Sequence, residues 1–120
     1  MTLTALDLVA AAKQHIRELS PGEARARLGE FRILDVREPA ELATGKLPGA
    51  THIPRGLLEF QIGGHPDFAG AQDADNLVYC LSGGRSALAV ETLHKLGYGK
   101  AVSLAGGIKA WTEAGLPLEG

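Results

Sequence analysis

Thiols and aromatic rings are scarce in this 120-residue chain: it has one cysteine, one tryptophan and one methionine, and 5% of its residues are aromatic. A single thiol excludes an intrachain disulfide framework and any structural zinc site built from cysteines. Charge of either sign is not in excess, since 12 basic against 14 acidic side chains leave a net −2 and a pI near 6.1. That balance lacks the basic footprint of a nucleic-acid partner. Long apolar runs are missing too, and none approaches the roughly 18–20 residues of a membrane span. The stretch 3–12 has no basic start and Asp7 interrupts it, so it fails as a signal peptide and the cytoplasm is the expected location. Glycine, in contrast, is plentiful at 16 residues, which points to tight turns and close backbone approaches. With 45% hydrophobic and 22% charged residues, the chain suits one buried core and one domain.

Short strands alternate with helices along the chain. Residues 5–15 form an amphipathic N-terminal helix on Leu6, Val9, Ala10 and Ala12, and residues 16–19 a short strand. Ser20-Pro21-Gly22-Glu23 reads as a capping box with proline at the first helical position, opening a helix that ends at Gly29. Strands follow at 31–36, 51–53, 76–79 and 101–104. Helical segments start at Pro39, at Leu57, at Ser86 and after Gly106-Gly107; on the third, Ala89, Val90, Leu93 and Leu96 form the apolar face. This alternation predicts an α/β fold, a central parallel sheet with helices on both faces. Ligands bind such sheets beyond the carboxyl ends of the strands, and Cys80 stands at one of those ends.

The segment from Cys80 to Ser86 carries the chemistry. A loop between a strand and a helix start gathers backbone N–H groups without intrahelical partners, which favour an anion. Gly83 and Gly84 let the backbone curl around a ligand. A cysteine opening such a loop has its thiolate stabilised and becomes reactive, and Arg85 adds a fixed cation for oxyanion oxygens. The predicted site is therefore Cys80 as nucleophile with Leu81, Ser82, Gly83, Gly84, Arg85 and Ser86 as the binding loop. Cys80 and Arg85 are five places apart; a cysteine-dependent phosphatase or arsenate reductase loop is typically one residue longer, so a persulfide or thiosulfate sulfur fits better than a tetrahedral phosphate. The competing reading, a buried strand cysteine before an ordinary glycine turn, loses ground because strand, glycines and helix all stand where the chemistry needs them.

Three stretches, in order, resemble the rhodanese family. They are 33–41 with its continuation 45–54, the loop 79–86, and 97–98 followed by 104–111. Lys46 departs from the family, which often has histidine there, at a position that is not catalytic. The resemblance implies one rhodanese-like domain over 1–120, residues 1–15 being a helical extension, and no metal or organic cofactor. It also implies a two-step transfer. Cys80 takes a sulfane sulfur from thiosulfate or a persulfide donor, the loop amides hold the persulfide, and cyanide, a thiol or a protein thiol accepts the sulfur. A low-turnover sulfur relay or protein-binding module on the same fold is the alternative.

Other polar and aromatic residues have competing structural roles. Asp35 and Arg37 follow a buried strand and are secondary site candidates, though an ion pair or helix cap is favoured. Arg55 is either a second anion contact or an exposed loop arginine. His15, His52, His65 and His94 share no metal spacing, and His94 is expected in solvent. Trp111 is expected in the core, as are Leu57, Leu58, Phe60 and Ile62.

Overall fold

Period-2 side-chain alternation along buried strands decides which face each residue serves. In the computed structural model, which describes residues 2–120, the strands are β1 (Glu18–Leu19), β2 (Arg32–Asp35), β3 (Thr51–His52), β4 (Asn76–Tyr79) and β5 (Ala101–Leu104). All pair in parallel in the order β1-β5-β4-β2-β3. The α-helices are α1 (Ala5–Lys13), α2 (Pro21–Ala26), α3 (Leu58–Gln61), α4 (Gly84–Lys95) and α5 (Gly107–Glu113). β4 and β5 are buried at every position, which suits their mostly apolar sequences, with Asn76 and Ser103 the polar exceptions.

The core divides by strand parity. Leu34, Val78, Cys80 and Ala101 face α3 and α4, packing on Leu58, Ala89, Val90 and Leu93. Ile33, Leu77, Tyr79, Val102 and Leu104 face α2 and α5, packing on Ala24, Ile108 and Trp111. Trp111 is fully buried, as the sequence indicates, and its indole N–H donates to the Pro117 carbonyl at 2.8 Å. Among the described residues no helix is long and apolar enough to cross a membrane.

Several boundaries differ from expectation for local reasons. Both hydrogen bonds of the Ser20 capping box are made, at 2.9 and 3.2 Å. The helix it opens stops at Ala26, however, and Gly29 lies inside a following 3-10 turn, Leu28–Glu30. The segment Pro39–Thr44 is likewise a 3-10 helix rather than an α-helix. α4 starts two residues before Ser86, so Gly84 and Arg85 are its first turn, and Leu96 caps its end half exposed. α3 is a single turn; Leu58 and Ile62 are buried, but Leu57 and Phe60 point outward, against expectation, because one turn has one inner face. His94 is half-buried rather than fully in solvent, and its Nε2 lies 3.0 Å from the Ala101 carbonyl.

Candidate functional site

Cys80 leaves the carboxyl end of β4 on the α4 side of the sheet, and its side chain is 1% exposed. The loop after it folds back over the sulfur. Gly83 has φ +103°, a left-handed conformation that suits glycine, and serves as the residue before α4. That turn aims the Gly83 N–H at Cys80 Sγ at 3.1 Å, while the Ser86 N–H approaches it at 3.4 Å. Two backbone donors on one sulfur suit a sulfur that carries negative charge. Sγ also lies 3.5 Å from Ser86 Oγ.

The Ser86 hydroxyl is itself held. Its oxygen lies 2.8 Å from Ser103 Oγ, and both serines are fully buried. When Cys80 is a thiol, its S–H donates to Ser86 Oγ; when it is a thiolate, the Ser86 hydroxyl can donate to sulfur while accepting from Ser103. Ser103 escapes a motif search because it stands 17 residues beyond Ser86. A signal existed nonetheless: it is a polar residue in a buried strand, paired in register with Val78 and so on the same face as Cys80.

A second element clamps the loop from below. The first amides of α5, from Ile108 and Lys109, donate to the carbonyls of Cys80 and Leu81 at 2.9 and 3.0 Å. Gly107 makes this approach feasible. With φ +63°, a Cβ there would meet the Cys80 carbonyl oxygen at 2.6 Å and overlap the Leu81 carbonyl. Gly107 is thus required by two backbones in contact, whereas a Cβ on Gly106, at φ +74°, would meet the Ala110 Cβ at 2.6 Å.

Arg85 lies beside the site, but its fork is occupied. Its Nη1 and Nη2 donate to the two oxygens of Glu41 at 2.6 and 3.0 Å. These hydrogen bonds pull the Glu41 carboxyl from 4.5 down to about 2. Glu41 was not among the sequence candidates, because it is brought to Arg85 across 44 residues of chain.

The secondary candidates make contacts of their own. Arg37 and Asp35 form a buried ion pair, with Nε and Nη2 contacting the carboxylate at 2.8–3.1 Å. Arg37 also donates to the carbonyls of Glu41 and Gly45. The Tyr79 hydroxyl donates to Asp35 at 2.8 Å and accepts from the Leu47 N–H; burial, then the Asp35 charge, push the phenol well above its ordinary range. Arg55 bonds Glu59 and the Thr92 hydroxyl, toward the C-terminal end of α4. An apolar groove of about 290 Å³, lined by Leu81, Ile108, Thr112 and Leu118 among others, adjoins the loop. A larger cleft of about 650 Å³ opens at the amino ends of the strands, near Arg17, Phe31 and Lys100, and includes none of the loop.

Comparison with known proteins agrees with this architecture. The rhodanese-like domain family matches residues 20–114, from the cap of α2 to the cap of α5. A sulfurtransferase of Allochromatium vinosum is 40% identical over 86 residues, 72% of this chain and 76% of that protein. The structure of RPA3614 from Rhodopseudomonas palustris, described as a protein of unknown function and possible tyrosine phosphatase, superposes with a TM-score of 0.87. It is 32% identical, covering 99% of this chain and 96% of that one, so α1 is included. The human single-domain sulfurtransferase TSTD1 superposes at 0.71 with 31% identity, over 80% of this chain and 95% of its own. On the strength of these matches and a fold to suit them, the chain belongs to the rhodanese-like sulfurtransferase family.

Proposed function

We propose that the protein transfers a sulfane sulfur through a persulfide on Cys80. The observation that carries this reading is the pair of N–H donors, from Gly83 and Ser86, converging on a cysteine sulfur at the end of a parallel strand. In the first half-reaction the Cys80 thiolate attacks the outer sulfur of thiosulfate. The S–S bond breaks and its electron pair leaves with sulfite, giving Cys80–S–S⁻. With a persulfide donor, R–S–S⁻, the pair leaves on R–S⁻ instead. In the second half-reaction cyanide or a thiolate attacks the outer sulfur, and the pair returns to Cys80 as thiolate. Attack is nucleophilic catalysis; the loop amides stabilise charge on both the thiolate and the persulfide. No residue is needed as a general base once the thiolate is formed.

A phosphatase reading of the same fold is less well supported. A phosphoryl group needs a wide cradle and a free arginine fork. Here the arginine follows the cysteine by five places and both of its terminal nitrogens bond Glu41. Assays of thiocyanate formation from thiosulfate or a persulfide plus cyanide, run beside hydrolysis of an aryl phosphate, separate the two. Sulfur transfer that disappears in Cys80→Ser supports the proposal. Phosphate release that depends on Cys80, without sulfur transfer, refutes it.

A further inference from the structure

An arginine placed five residues after the nucleophile would ordinarily be read as a grip for the donor's oxygens, yet both terminal nitrogens of Arg85 are bound to one carboxylate. That carboxylate is itself anchored. Glu41 Oε1 accepts the Glu38 N–H at 2.9 Å, which ties it to the first turn of the 3-10 helix Pro39–Thr44. Glu41 therefore cannot follow Arg85 toward a ligand without giving up its own cap.

The charges around Arg85 sum to a negative value. Glu38 and Glu41 both act on Arg85, as does the Cys80 sulfur. Arg37, the other cation felt by Glu41, is neutralised by its buried pair with Asp35. One guanidinium against two carboxylates leaves one net negative charge before the Cys80 thiolate is added. At the adjoining apolar groove, Lys109 and Glu113 cancel each other. A dianion arriving here meets repulsion, and competing for Arg85 would leave Glu41 unpaired beside it.

We infer that Glu41 selects the sulfur donor: by holding Arg85 it disfavours thiosulfate, a small dianion, and favours a persulfide whose transferring end has one negative charge on an otherwise uncharged, partly apolar body. The apolar groove beside Leu81 gives such a body a surface to rest on. This inference rests on the Cys80 persulfide reading. The step is the one written above: Cys80–S⁻ attacks R–S–S⁻, the S–S bond breaks, and R–S⁻ leaves with the electron pair.

The test compares Cys80 loading rates, measured by rapid quench and intact mass, for thiosulfate and 2-hydroxyethyl persulfide in the wild-type protein and in Glu41→Gln. Glutamine keeps an oxygen for the Glu38 N–H but frees the Arg85 fork from a charge. Thiosulfate loading should rise roughly five- to tenfold, as expected for one rim charge, while hydroxyethyl persulfide loading stays within about twofold. Wild-type protein supplies a second measurement that needs no variant. Repulsion is screened by salt, so its thiosulfate loading should speed up as ionic strength rises from roughly 20 to 200 mM. An unchanged or slower thiosulfate rate in Glu41→Gln, or a wild-type rate that falls with salt, overturns the inference while leaving the persulfide reading intact. Failure of the wild-type protein to load sulfur from either donor overturns that reading itself.

Discussion

Cys80 is almost fully buried, so the groups touching its sulfur matter more to its behaviour than solvent does. Gly83 and Ser86 touch it directly, and Ser103 acts through Ser86. Replacing Ser103 with alanine should let the Ser86 hydroxyl turn from the sulfur. Persulfide formation should slow roughly three- to tenfold, the size of one net hydrogen bond of about 1 kcal/mol. Ser103→Thr, which keeps the hydroxyl, should recover part of the rate. A loss of melting temperature with unchanged loading kinetics in Ser103→Ala would make Ser103 structural only. The Glu41–Arg85 pair makes a pH prediction. Its carboxyl titrates near 2 when folded, against 4.5 ordinarily, so the pair's stabilisation is present above about 4.5 and is lost as pH falls toward 2. Side chains 28% and 36% exposed limit that stabilisation to under about 1 kcal/mol, and less in salt. Urea titrations of wild type and Glu41→Gln should thus differ at pH 6 and converge near pH 2; a constant gap across that range would contradict the assignment. Neither Glu41 nor Ser103 was legible as a site residue in the sequence, because each meets the loop across the sheet rather than along the chain. Cys80 was legible because its partners are its own next six residues.

Among the elements, those whose signals are local were read well. β4 and β5 are found at the predicted residues because each is short and mostly apolar, broken only by Asn76 and Ser103, with turn residues nearby. The Ser20 box was read correctly because its two bonds span three residues. Helix type at Pro39 was not legible: proline and a capping box start either kind of helix, and tertiary contacts, including the Arg37 bond to the Glu41 carbonyl, decide it. The early start of α4 at Gly84 also runs against propensity, since glycine is a poor helix former. The contact between α5 and the loop gives the sharpest prediction at this scale. Gly107→Ala places a methyl group into the carbonyls of Cys80 and Leu81 at a positive φ, and should cost on the order of 2–4 kcal/mol and abolish sulfur loading. Gly56→Ala, with open space around it and an ordinary φ, should shift stability by less than about 0.5 kcal/mol and keep full activity. Chemical denaturation with parallel activity assays reads both, and an active, stable Gly107→Ala would remove the clamp from the account.

At the scale of the whole molecule, parallel pairing in the order β1-β5-β4-β2-β3 brings the ends of β4 and β5 together under α4. Alternation of strands and helices made the layer architecture legible, whereas the strand order, set by long-range pairing, was not. The family match begins at Ser20, yet α1 packs on the start of α4, with Val9 3.6 Å from where a Gly84 Cβ would stand. The helix before the family core therefore borders the same turn that carries Arg85. One further property of the whole chain makes its central claim easy to test: Cys80 is the only thiol. Any sulfane sulfur bound as a persulfide must then sit on that residue. The measurement is intact mass after mixing the protein with a sulfur donor and no acceptor. The account predicts a gain of one sulfur atom, removed by cyanide and absent in Cys80→Ser. A wild-type chain that gains no sulfur from thiosulfate or from any persulfide would contradict it.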